Sequence, residues 1–351
     1  MSNKIWYKQK MKAAYLNKLN SPLKISNNIK FKNLDYGQVL VKNYFTGVCK
    51  SQIYEIYSGR NNEKYIPHLL GHEATGIVED KHDSVKKVKK GDRVILTWLK
   101  CKGIQSNNPE YYDKLKKINS GSVTTFSNFS IVSENRLLKL PKDISLRKGV
   151  ILGCAFPTGA GMILKNISNS NNKKIAFLGL GGVGVSALLT SLNFVFKEVY
   201  GFDVNKNRLI FLDKLVKSDK KVNYSLFDKN ISKKFRNYFD YVIETSGSIK
   251  GIENGFKILK NNGKMIFASH PSKGKKIKLD PFDLIKGKKI FGSWGGDFDY
   301  EKNCLKIFRI FKRIKNFNKI FQEKLYNFNE INYAIKDLKN GKVLRPLIKL
   351  N

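Results

Sequence analysis

Residues 175–196, IAFLGLGGVGVSALLTSLNFVF, carry no charge and constrain this chain more than any other segment. The run is long enough to cross a bilayer. Its start is punctuated by glycines, however, and its β-like pattern changes to a helical period after Gly184, which argues against a membrane span. A strand that runs through a glycine triplet into a helix has a specific use. Gly179-x-Gly181-x-x-Gly184 allows a tight turn at Gly179, close approach of a pyrophosphate to the backbone at Gly181 and close helix–strand packing at Gly184. Gly182 and Val183 complete the loop, and the helix start offers free N–H groups to phosphates.

Asp203 ends the next strand, in EVYGFDVNKNR, close to the spacing expected of a carboxylate on the adenosine ribose hydroxyls. The plain alternative is that Asp203 caps the helix starting at Lys206. A carboxylate there repels a 2′-phosphate, so NAD is expected over NADP. Arg208, five residues on, could stack on the adenine or attract a phosphate.

The surroundings fit a doubly wound α/β sheet. Strands are expected at 174–179, 198–203, 240–244, 263–268 and 288–292, with helices between them at 206–217 and 249–260. The part before residue 150 instead alternates short β-like runs with turns, as in QVLVKNYFTGVC and GDRVILTWL, which suits a mostly antiparallel β domain. Residues 99–120 read as a polar insertion without a clear period. The basic stretch 301–315 reads as a helix that packs on a core through Leu305, Phe308, Phe311 and Ile314.

LLGHEATGIVED (69–80) sets His72 beside Glu73, a pair that is costly to bury without partners. The four cysteines, Cys49, Cys101, Cys154 and Cys304, are too few and too scattered for a disulfide scaffold. Reduced thiols and a cytoplasmic location are expected. The N-terminal stretch MSNKIWYKQKMKAAYLN has no apolar signal core. Cys49, His72 and Cys154 would make two thiolates and an imidazole with an open fourth position, an arrangement suited to catalytic zinc. Taken singly, each is as well read as a core residue, and sequence distance does not link them.

Lysine and arginine number 66 against 28 acidic residues, giving a net charge of +38. The lysines lie in every expected loop and helix and not on one element. Compositional drift therefore explains the charge better than a nucleic-acid or membrane surface does.

TGVCKSQ, GHEATGIV, GDRV, LGCAFPTGAG, GLGGVG and FDVNKNR follow one another in the order and spacing of the zinc-dependent medium-chain alcohol dehydrogenases. From about residue 35 onward the chain closely resembles that family. The resemblance implies a GroES-like β-rich catalytic domain over 1–155, completed by 297–351, and a Rossmann NAD-binding domain over 156–296, with the active site in the cleft between them. It implies that Cys49, His72 and Cys154 ligate catalytic zinc, with Glu73 behind the metal as a carboxylate able to approach it. Ser51 matches the hydroxyl that takes the substrate proton. Lys50 and Arg345 match basic residues near the pyrophosphate, Thr158 and Val183 match residues beside the nicotinamide, and Trp98 matches a wall of the substrate pocket.

Three departures accompany the resemblance. Gln52 stands where many relatives have an aspartate bonded to the zinc-bound histidine, and its amide oxygen is expected to orient the ring without bringing charge. Tyr54 stands where some relatives have a proton-relay histidine. Many relatives also hold a structural zinc on four cysteines in the lobe after the strand ending near Trp98. Here Trp98 to Gly121 contains only Cys101 and no histidine. One catalytic zinc per chain is expected, with the lobe held by packing or subunit contacts and comparatively mobile. The implied activity is hydride transfer between a primary or secondary alcohol and NAD, in a homodimer or homotetramer without nucleic-acid or membrane partners. A polyol or sugar dehydrogenase is the alternative. A zinc-free reductase and a basic nucleic-acid-binding protein on the same scaffold are the weaker rivals.

Overall fold

The computed structural model describes residues 10–57, 63–216, 221–272 and 274–351. They form two units, one of residues 1–154 and 322–351, the other Ala155–Phe321.

In the second unit six parallel strands lie in the order Val222–Leu226, Phe196–Asp203, Lys173–Leu178, Phe239–Glu244, Leu259–Phe267, Lys289–Gly292. Numbered along the chain this is 3-2-1-4-5-6, the doubly wound order of a Rossmann sheet. All five expected strands are present. Val222–Leu226, short and half polar, was not foreseen. The uncharged run 175–196 divides into a strand to Leu178, the helix Gly182–Ser191 and the start of the next strand, so it spans nothing. No helix among the described residues is long and apolar enough to cross a membrane.

The first unit is mostly antiparallel. A seven-stranded sheet runs Leu137–Lys139, Arg93–Thr97, Glu73–Lys81, Gln38–Gly47, Leu347–Lys349, Leu325–Asn327, with Phe129–Ser133 also pairing to Gln38–Gly47. Among the described strands of this sheet only the pair Leu325–Asn327 and Leu347–Lys349 is parallel. A second sheet of five strands carries Met11–Leu16 and Lys24–Phe31.

Three expectations need correction. First, part of the polar insertion is ordered sheet: Tyr111–Asp113 and Lys116–Ile118 form a hairpin that extends the five-stranded sheet through Lys24–Phe31. The rest of the lobe is held by hydrogen bonds from Ser133–Arg136. Buried Glu134 accepts from the backbone N–H groups of Lys86, Lys87 and Ile104 at 2.7–2.8 Å. Asn135 accepts from Cys101 N–H at 2.9 Å, and Ser133 Oγ accepts from Ser106 N–H at 3.1 Å.

Second, residues 297–321 pack with the nucleotide unit and not with the β-rich one, so the return to the first unit begins at Gln322. The reason is aromatic packing. The Phe311 ring is fully buried, 5.0 Å from Phe156 and 4.8 Å from Phe317, in edge-on geometry worth about 0.5–1.5 kcal/mol per pair beyond its burial. Third, the helix Tyr300–Lys312 buries Ile307, Phe308, Ile310 and Phe311, while Leu305 is 74% exposed. Steps of three residues lag behind a turn of about 3.6, so Leu305 turns away from the side that Phe311 buries, and Ile314 lies beyond the end of the helix.

Candidate metal and nucleotide sites

Strand register assembles the metal site. In the large sheet Gly47 pairs with Leu347, Thr46 with Ala74 and Glu73 with Thr97. Four strand ends therefore meet at one edge of the sheet. Cys49 follows the first, His72 precedes and Glu73 begins the second, Trp98 follows the third and Arg345 precedes the fourth. Cys154 arrives from outside the sheet on the turn Val150–Gly153, which Thr97 Oγ1 ties down by donating to Gly153 O at 2.8 Å.

The Cys49 Sγ, His72 nitrogen and Cys154 Sγ atoms all lie within 4.8 Å of one another, with His72 Nε2 and Cys154 Sγ 3.2 Å apart. Among the described residues this is the one cluster of His, Cys, Asp or Glu able to hold a metal ion. None of the four cysteines is in a disulfide. The Cys49 thiol is held well below its ordinary range by the hydrogen bond from Cys154 and the charge of Arg345. Cys154 is pushed up by the same bond and by burial. Two cysteine sulfurs and an imidazole are donors that suit zinc.

Glu73 is fully buried behind this cluster. Arg345 Nε donates to its Oε1 at 2.6 Å, a pairing across 272 positions that no local pattern foretold. Gly47 and Gly153 leave the room, since a Cβ on either would strike the Glu73 side chain. Arg345 is 7% exposed, and burial opposes its charge, but Cys49, Glu73 and Cys154 outweigh that and keep it ionised. Glu73 Oε2, Arg345 Nη2 and Ser51 Oγ are buried without a hydrogen-bond partner among the described residues. Most buried polar atoms find a partner; these three are open at one site and fit one that receives further groups.

Lys50, Ser51, Gln52 and Tyr54 lie on the helix Lys50–Ile56, with Lys50 exposed and Tyr54 half-buried. The Trp98 ring centroid is 6.4 Å from that of His72, inclined at 62°. The expectation for Gln52 is reversed. Its oxygen accepts from Cys49 N–H at 2.8 Å, and its nitrogen, not its oxygen, faces His72 Nδ1 at 2.7 Å.

In the second unit the glycine loop joins the strand Lys173–Leu178 to the helix Gly182–Ser191, at the carboxyl ends of the strands where the order reverses. Gly179 has φ +85°, a conformation that favours glycine. A Cβ on Gly184 would collide with the Gly179 carbonyl, whereas one on Gly181 would project into open space, leaving that backbone approachable. Val183 is half-buried, and Thr158 is buried on the helix Ala155–Asn166, which packs on the glycine helix through Gly159. Asp203 does not cap the next helix, because Asn205 does, accepting from Arg208 N–H at 3.1 Å. Asp203 accepts from Leu180 N–H at 2.8 Å and Asn205 N–H at 2.9 Å, fastening the loop to its neighbour strand. Arg208 Nη1 lies 3.2 Å from Asp203 Oδ2, so its charge is turned toward that carboxylate.

Two family models match the chain: the alcohol dehydrogenase GroES-like domain over residues 35–142 and the zinc-binding dehydrogenase domain over 182–309. The chain belongs to the zinc-type medium-chain dehydrogenase/reductase family, with a GroES-like and a Rossmann part. Among curated relatives, it is 25% identical to the S-(hydroxymethyl)glutathione dehydrogenase of Saccharomyces cerevisiae, covering 89% of each chain. It is 26% identical to the alcohol dehydrogenase class-3 of Drosophila melanogaster, covering 76% of this chain and 79% of that one. Among solved structures, the benzyl alcohol dehydrogenase of Acinetobacter calcoaceticus superposes with a TM-score of 0.84 at 23% identity, over 98% of this chain and 100% of the other.

Proposed function

We propose that the protein is an alcohol dehydrogenase that uses one zinc ion per chain and NAD to interconvert an alcohol with an aldehyde or ketone. The observation that carries this reading is the convergence of Cys49, His72 and Cys154 to within 4.8 Å from three separate segments. Zinc held by these three residues supplies a Lewis acid that lowers the pKa of an alcohol hydroxyl. NAD supplies the hydride acceptor. Ser51, whose buried Oγ is open to a new partner, takes the substrate proton, and Tyr54 lies one turn on along the same helix. Arg345 holds Glu73 back from the metal ligands, and with Lys50 supplies positive charge for the pyrophosphate. The Gly179–Gly184 loop receives the phosphates, Asp203 the adenosine ribose, Thr158 and Val183 the nicotinamide, and Trp98 one side of the substrate.

The substrate is a small primary or secondary alcohol, with a polyol or sugar derivative as the second reading. S-(hydroxymethyl)glutathione and benzyl alcohol, the substrates in the relatives' names, belong in the first screen. The edge strand Lys289–Gly292, which exposes Phe291 and is flanked by exposed Ile285 and Trp294, supports a homodimer or a tetramer built from it. Cysteines outside disulfides suit the cytoplasm. The test is elemental analysis followed by an activity screen over alcohols, polyols and sugar derivatives with NAD and NADP. Close to one zinc per chain and NAD-linked turnover are expected. A zinc-free protein with full activity would overturn the reading.

A further inference from the structure

Gln52 is 1% exposed and sits between two groups that bear on the metal ligands. Its Oε1 accepts from Cys49 N–H at 2.8 Å, and its Nε2 lies 2.7 Å from His72 Nδ1. An amide nitrogen only donates, so Nδ1 is the acceptor and the ring proton resides on Nε2, facing Cys154 Sγ at 3.2 Å. A metal needs the other tautomer, because it takes the Nε2 lone pair and moves the proton to Nδ1. Loading then turns two N–H donors, from Cys49 and His72, toward a side chain with a single acceptor oxygen. Those donors face different ends of the amide. Turning it satisfies His72 and strands Cys49, while leaving it sets donor against donor at His72. A carboxylate would offer an oxygen to each.

We propose that Gln52 is a positioning residue that stabilises the metal-free tautomer of His72 and thereby lowers the site's affinity for zinc, so that occupancy follows metal supply. This rests on reading the site as a zinc centre. The test is a competition titration with a chromophoric chelator, using full-length metal-free protein at fixed pH. Gln52→Glu is expected to bind zinc about 10–100-fold more tightly, the range by which such outer partners tune metal sites. Gln52→Met, which helps neither tautomer, is expected to bind no more weakly than the wild type. A residue that orients the ring for the metal would instead make Gln52→Met weaker. Nitrogen NMR of the His72 ring should place its proton on Nε2 without metal and on Nδ1 after loading. Unchanged affinity in Gln52→Glu, weaker binding in Gln52→Met, or a proton on Nδ1 before loading overturns the proposal. Failure of the wild type to take up zinc overturns instead the reading of the site, and this inference with it.

Discussion

Glu73 at the metal-site edge and Glu134 beneath the lobe are both buried glutamates of the β-rich unit, yet one is left open and the other is saturated. Glu134 accepts three backbone N–H groups, and these outweigh burial to draw its pKa below the ordinary carboxylate range. Glu73 has one charged partner and an oxygen with none, and Ser51 and Arg345 of the same site also keep buried atoms open. An open buried acceptor costs about 1–3 kcal/mol. A fold tolerates that where a ligand completes the set, and saturates its carboxylates where only structure is at stake. Residues 101–106 of the lobe are likewise tied by hydrogen bonds to Ser133–Asn135.

The comparison breaks first at the metal ligands. Cys154→Ala or Cys49→Ala is expected to abolish zinc binding and turnover while leaving NAD binding measurable by fluorescence, since the glycine loop belongs to the other unit. Wild-type turnover in either variant without zinc would show that the cluster is merely a set of core residues. Next is Ser51→Ala, expected to reduce alcohol oxidation at least ~100-fold, the low end for a positioned proton-transfer group, with the melting temperature unmoved. Tyr54→Phe should do far less; a comparable loss would make the tyrosine the outer member of the relay.

Glu134→Gln tests the saturated side. It removes a charge-assisted acceptor and turns an NH₂ toward one of three N–H donors, so a loss of about 2 kcal/mol is expected. For a unit of this size that lowers the melting temperature by roughly 4–8 °C, with zinc content unchanged. Because the folded pKa is depressed, this contribution is present above the unfolded value of about 4.3 and is lost as pH falls through the folded value. Wild type and variant should therefore converge in strong acid. A gap that widened there would mean that Glu134 is not ionised in the native state.

What could be read from the sequence divides along the same line. The glycine loop and its strands were legible because their information is local: a triplet, two periods and a carboxylate at a set distance. The metal site was legible only through resemblance, because strand register, not sequence proximity, brings Cys49, His72 and Arg345 to one sheet edge. The Glu73–Arg345 pair and the Glu134 hub left no local signal, since their partners lie 272 and 30–48 positions away. The helix 300–312 was legible as a helix, but the unit it covers was decided by where Phe156 and Phe317 place Phe311.

The smallest expected effect concerns Asp203, which stands between the two cases. Both its oxygens are engaged, as at Glu134, yet it lies at the crevice end of the strands, as a ligand-binding residue would. Asp203→Ala removes the acceptor for Leu180 N–H as well as the negative charge, so any loss of NAD binding would mix a loosened loop with a lost ribose contact. Asp203→Asn separates them, because its carbonyl oxygen still accepts from Leu180 while no charge repels a 2′-phosphate and Arg208 is freed to attract one. We expect Asp203→Asn to erode the preference in kcat/KM for NAD over NADP by about 10-fold, the worth of ~1.4 kcal/mol, chiefly by improving NADP. Asp203→Ala should lower efficiency with both cofactors. If Asp203→Asn leaves the ratio untouched while Asp203→Ala weakens both cofactors equally, Asp203 is a loop fastener of the Glu134 kind and the cofactor preference resides elsewhere.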